Sequence, residues 1–147
     1  MKKFLSLTMA ILALTAALGT AAQAQTAGSR TMRARIPFAF HVASKELPAG
    51  EYTVTVLNPS SDHNALQIRS LDGRSSAIIQ TFAKAANASE NSKLMFRRYG
   101  QSYFFAEAQV VGESTALRAL KSKAERSEAE TASRPGSKPA VAVVTAY

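Results

Sequence analysis

The chain has 147 residues, with 18 Lys and Arg against 10 Asp and Glu for a formal charge of +8, and it holds no cysteine. That excludes a disulfide framework, a thiol nucleophile, a thiolate metal site and a lipid-anchored cysteine. The length suits one domain with its own core, held by packing and hydrogen bonds alone.

The opening MKKFLSLTMAILALTAALGTAAQAQ reads as a signal peptide over residues 1–24. Lys2 and Lys3 give the positive start, residues 4–18 an uncharged and largely apolar run, and Ala22-Gln23-Ala24 the small-residue pattern of a cleavage site. The run is shorter than the ~20 residues a spanning helix needs, and no later stretch is long and apolar enough to cross a bilayer. The expectation is an exported chain, not transmembrane, periplasmic or secreted after cleavage near Ala24. The 147 residues less these 24 leave 123, and loss of Lys2 and Lys3 leaves 16 basic against 10 acidic residues, a charge of +6. For an exported chain that balance points to anionic lipid headgroups, wall polymers or solubility rather than to nucleic acid.

Residues 25–31 read as a disordered arm, and residues 32–113 as an antiparallel β domain. Ile36, Phe38, Phe40 and Val42 alternate with Pro37, Ala39 and His41, the period of a half-buried strand. Pro37 has no amide hydrogen for a ladder, which puts this strand at a sheet edge or starts it after the proline. SKELPAGEY reads as a hairpin loop, with Pro48 presetting φ and Gly50 where a left-handed residue is wanted. Glu46 and Glu51 flank it; paired carboxylates serve glycoside cleavage, but on a hairpin loop both point into water. Tyr52, Val54 and Val56 form the next face, and NPSSDHN ends the run as a turn.

In ALQIRSLDGRSSAIIQTF, Asp72-Gly73 suits a two-residue type I′ turn. Folding there sets Ile68 opposite Ala77 and Leu66 opposite Ile79. A polar link, KAANASENSK, leads to LMFRRYGQSYFFAEAQVV, where Gly100 marks the turn and Leu94, Phe96, Tyr103 and Phe105 share a face. Arg97 and Arg98 are expected at the rim where that strand ends. Met95, Phe104 and Ala106 make the other face partly apolar, so the sheet is covered on both sides or curls into a barrel.

After Gly112 the period changes. Leu117, Leu120 and Ala124, with Ser114 or Thr115 as N-cap, predict an amphipathic helix over 114–130. Its charges, including Lys121 with Glu125 and Arg126 with Glu130, read as a solvated face. Residues 131–139 read as a linker, and 140–147, AVAVVTAY, as a short strand or tail. That segment either closes its own sheet or adds to a neighbour by β-augmentation, giving a monomer or a strand-swapped dimer. Val141, Val143, Val144 and Tyr147 are the candidate partner contacts.

The runs IPFAFHV, LPAGEYTV, LQIRS-DGRSSAIIQT, FRRYG-SYFFAE and KSKAER together resemble a family of small exported, functionally uncharacterised β-rich bacterial proteins of acidobacterial type. The resemblance covers roughly residues 32–126. It implies export and a β-rich domain, and brings no catalytic or ligand residues with it.

Other constellations are weak. His41 and His63 are the only histidines, fall on different elements and lack an i+4 partner, so no metal or cofactor is expected. No G-x-S-x-G elbow or phosphate-cradling glycine loop occurs, and Thr81 and Lys84 face opposite sides of a strand. RRYGQSYFF mixes basic and aromatic residues, but export argues against RNA. The expected fold is mainly β, an antiparallel meander of six to seven strands as a small barrel or sandwich, with one C-terminal helix. The expected function is a non-catalytic envelope module that binds a protein or wall polymer. The alternative is a small barrel carrying an apolar ligand against Phe38, Phe40, Tyr52, Phe96, Tyr103 and Phe105, and a motif-less hydrolase comes third.

Overall fold

Alternation along the chain writes itself into strands. In the computed structural model, which describes residues 30–59, 61, 63–132 and 139–147, Met32, Ala34 and Ile36 are buried while Thr31, Arg33 and Arg35 are exposed. The described strands are β1 (Thr31–Ile36), β2 (Phe40–Val42), β3 (Lys45–Leu47), β4 (Gly50–Val56), β5 (His63–Ser70), β6 (Ser76–Ala85), β7 (Ser92–Tyr99), β8 (Ser102–Gln109), β9 (Thr115–Ala119) and β10 (Ala140–Ala146), with helix α1 (Lys123–Ala132) before the last. The predicted signal peptide and most of the predicted arm lie outside the described residues.

Neighbouring strands run β3-β2-β8-β7-β10-β1-β4-β5-β6-β9, and β9 pairs again with β8. Eight strands thus close into a barrel, while the β2–β3 hairpin pairs with the edge of β8 away from β7, in parallel at His41 and Phe104, and adds Phe40, Val42 and Leu47 to the core. This corrects the expected six-to-seven-strand meander on two counts, the number of strands and the insertion of β10 between β7 and β1. The β8–β9 pairing removes the edge at which a meander would end, and β3 stays paired on one side only.

The predicted strand from Ile36 to Val42 is two strands. β1 stops at Ile36 because Pro37 cannot donate, and it lies between β10 and β4 rather than at an edge. Phe40 and Val42 still point inward, on β2. SKELPAGEY is likewise not a simple loop, since residues 45–47 form β3 and Leu47 is wholly buried. Gly50 begins β4 without a positive φ; the left-handed residue here is Ala43, φ 55°, in the β2–β3 turn. Tyr52 donates its hydroxyl to the Pro48 carbonyl at 2.6 Å and so fixes the connection. Burial pushes the Tyr52 phenol pKa up, with a smaller push from the Asp72 charge.

The β5–β6 register is the expected one, Ile68 with Ala77 and Leu66 with Ile79. The turn chemistry differs. Only Gly73 (φ 73°) is left-handed, not Asp72, so the turn is not type I′. Instead the Ser70 carbonyl accepts from Gly73 N–H at 3.0 Å, and Asp72 Oδ1 accepts from Ser70 Oγ at 2.6 Å and Arg74 N–H at 3.0 Å. Those two donors, the Ser70 hydroxyl first, hold the Asp72 pKa below the usual carboxylate range. Between β7 and β8 the Gly100-Gln101 loop has positive φ at Gly100 alone, the type II′ pattern.

The inside is aromatic. Phe96 stands edge-on to Phe38 (5.3 Å), Phe40 (5.3 Å) and Phe105 (5.9 Å). Phe38 stacks on Tyr103 at 3.9 Å, and Tyr52 meets Phe40 at 5.2 Å. All six residues expected as core or ligand lining therefore meet in one cluster.

The predicted helix over 114–130 is corrected. Residues 115–119 are β9, paired with β6 from Thr81↔Ala119 to Ala85↔Thr115, and the helix begins at Lys123. Ser122 is its N-cap, Oγ accepting from Glu125 N–H at 3.1 Å.

Candidate functional site

The outward positions of five strands build a charged and apolar band on the barrel's exterior. The registers Phe82↔Arg118, Arg118↔Glu107, Glu107↔Met95 and Met95↔Val143 set five side chains in a row across β6, β9, β8, β7 and β10. At ~4.8 Å per strand the row spans about 19 Å. A β-bulge between Met95 and Phe96 shifts the β7–β8 register. It lets Phe96 and Phe105 stay inside while Met95 and Glu107 come outside, opposite each other.

Two shallow grooves, of about 300 and 360 Å³, adjoin along this band and share Lys84, Arg97 and Arg118. Phe82, Leu120 and Lys121 wall the first; Met95, Glu107 and Val141 wall the second. Lys84 Nζ lies 3.4 Å from Glu107 Oε2. The Arg118 side chain, exposed, makes no ion pair or hydrogen bond among the described residues, and the Lys121 ammonium has only the face of Tyr99, 5.7 Å from the ring centroid. With Lys84 on Glu107 and Arg97 on Glu125, two cations are left over.

Arg97 and Glu125 were expected at a rim and on a solvated helix face. Both are buried, with side chains 9% and 2% exposed. The Arg97 guanidinium clasps the carboxylate with two donors, Nε to Oε1 and Nη2 to Oε2, the latter at 3.0 Å. Tyr99 adds its hydroxyl to Oε1 at 3.2 Å. This pair pins α1 against β7 and fixes the leading segment, Leu120 and Lys121, as one wall of the groove. The stripe expected to bury Ala124 is thus replaced by a single buried glutamate, while Leu120 (69%) and Ala124 are exposed.

The candidate partner contacts divide. Val141 and Val143 face outward at 59% and 58% exposure and Tyr147 is exposed at 75%, while Val144 turns towards the core. Only Val141 and Val143 join the band. His41 stacks on Phe104 at 4.8 Å and His63 stands edge-on to Phe82 at 5.5 Å. Among the described residues no cluster of three or more metal-ligating side chains occurs, and no helix is long and apolar enough to cross a membrane. Glu46 and Glu51 are exposed on different strands, β3 and β4. Thr81 points inward, donating to the Asn64 carbonyl at 2.8 Å.

Sequence reasoning missed the band because each member is, alone, an ordinary outward charge or apolar residue on a strand. Comparison with known proteins gives no match to a family model, to a curated protein or to a solved structure.

Proposed function

We propose that this protein is an exported, non-catalytic β-barrel module of the bacterial envelope that binds its partner on the outer face. The observation that carries the reading is the filled interior. Phe40, Leu47, Val54, Leu66, Ile68, Leu94 and Phe96 have 0% of their surface exposed. A void able to hold even a water would leave part of its lining exposed, and a carrier needs a cavity of ~300–1,000 Å³. Eight strands give an interior that side chains can fill, and here aromatic rings fill it. The features of residues 1–24 support export, and β10 completing the ring of its own chain supports a monomer.

The same eight-stranded ring also serves small-ligand carriers elsewhere, and that second reading makes a different prediction. Native mass spectrometry of the protein purified from the envelope fraction of an exporting cell is expected to give the bare mass of a chain starting at Gln25. Additional mass of an uncharged apolar compound that leaves on denaturation would overturn the module in favour of the carrier. A mass that retains residues 1–24 would overturn cleavage.

A further inference from the structure

We infer that the groove running from Arg118 to Val141, with Val143 beside it, is a binding site for an amphiphile with a single anionic headgroup and an alkyl chain, the chemistry of an anionic lipid. Three features of the band argue for this. The unpaired cations, Arg118 and Lys121, line one groove together with Phe82 and Leu120. That is a local charge surplus of two, enough for one phosphate and too little for a polyanion, whose binding draws on a run of such contacts.

Next to them the surface turns aliphatic. Met95, Val141 and Val143 lie on adjacent strands, with Val143 directly opposite Met95 and Val141 opposite Arg97. Two exposed valines and a thioether side by side are the kind of apolar surface that an alkyl chain covers favourably, at about 25 cal/mol per Å². Between headgroup and tail lies Glu107, which is only 8% exposed and already neutralised by Lys84, so the path for the chain is not barred by a free negative charge.

The third feature distinguishes the ligand from a peptide. Four of the five strands under the band are paired on both sides where the band crosses them, β6 to β5 and β9, β9 to β6 and β8, β8 to β9 and β7, β7 to β8 and β10; β10 is paired there with β7 and meets β1 only at its far end, Ala34↔Ala146. Over those four strands the floor therefore offers side chains and no backbone groups. A peptide lying across it would leave its own amides without partners, which is costly, whereas an alkyl chain asks for none.

The inference deepens the outer-face binding reading and rests on it. Its test is a calorimetric titration of the mature protein with dodecyl phosphate below its micelle concentration, set against inorganic phosphate, dodecylphosphocholine and a short peptide alternating Leu and Asp. Dodecyl phosphate is expected to bind, and the other three at least roughly tenfold more weakly. The double variant Arg118→Gln/Lys121→Gln is expected to lose roughly tenfold in affinity, two partly exposed ion pairs at their usual worth. Val141→Ser/Val143→Ser is expected to lose a similar factor from the tail. Arg74→Gln, in the β5–β6 turn beyond the Ser76 end of β6, eight strand residues and so roughly 25 Å from Lys84, leaves binding unchanged.

Absence of dodecyl phosphate binding, equal binding of phosphate or the zwitterion, tighter binding of the peptide, or indifference to both double variants would each overturn the site. Those failures leave the module standing if the native mass is bare. Cargo that stays bound in both double variants and leaves only on denaturation instead overturns the module and this site together.

Discussion

A chain ending at Pro139 is expected not to fold cooperatively at 25 °C. β10 pairs with β7 along seven residues, Ala140↔Arg98 to Ala146↔Ser92. It reaches β1 through Ala34↔Ala146 and the reciprocal bonds Arg33 N–H to Tyr147 O, 2.8 Å, and Tyr147 N–H to Arg33 O, 2.9 Å. Removing residues 140–147 opens the ring at its β7–β1 seam, leaves two edges unpaired and uncovers the side of Leu94 and Phe96 that Ala142, Val144 and Ala146 screen. A loss of that extent is comparable with the ~5–15 kcal/mol that holds a whole domain. Urea unfolding followed by circular dichroism checks it, and a synthetic peptide of residues 139–147 added in trans is expected to restore the transition by strand complementation. A truncated chain that unfolds cooperatively within a few tenths of the full-length urea midpoint would contradict the closed ring.

The second large effect belongs to the buried ion pair. Glu125→Ala leaves the Arg97 guanidinium without its carboxylate, and stability is expected to fall by about 2–3 kcal/mol, somewhat under the ~3–5 typical of a broken buried pair because the groove admits water beside Arg97. Arg97→Met is expected to cost a similar amount by stranding Glu125. The double variant Arg97→Met/Glu125→Leu removes both charges and is expected to lie within about 1 kcal/mol of the parent. With Glu125→Leu as the matching single variant, expected to cost as much as Glu125→Ala, the cycle reads a coupling of about 3 kcal/mol or more. In Glu125→Ala the amides of α1 also exchange faster with solvent, because the tether to β7 is gone. Single losses that simply add in the double variant would contradict the tether.

How much of this the sequence disclosed depends on the range of the interaction involved. Period-two alternation is local, so Tyr52, Val54 and Val56, and the pairing of Leu66 with Ile79, were legible from residues alone. β9 was not. Leu117, Leu120 and Ala124 recur at helical spacing, and five residues are too few to separate that from the alternation of Leu117 and Ala119. What decides is the ladder to β6, some thirty residues upstream, and tertiary pairing overrode the local period. A finer local signal did exist at the true helix start. Ser122-Lys123-Ala124-Glu125 has the S-x-x-E form of a capping box, and Ser122 does cap the helix.

The partner of Glu125 was beyond reach for a different reason. Arg97 lies 28 residues upstream and comes beneath α1 only once β7, β8 and β9 have taken their places in the ring. Strand order governs the outer band in the same way. Lys84, Arg118, Met95 and Val143 become neighbours through the β6-β9-β8-β7-β10 order, which no stretch of sequence states. By contrast the six core aromatics were visible as a set, since inward parity alone selects them.

The central proposal is that the barrel is solid and works from its outside, and methyl NMR of the chain from Gln25 onward under xenon pressure tests it most directly. Xenon enters dry apolar cavities in proteins. The expected result is that the methyls of Leu66, Ile68 and Leu94 do not move, because no void adjoins them. Saturable shifts at those interior methyls would reveal an unfilled cavity and contradict the account.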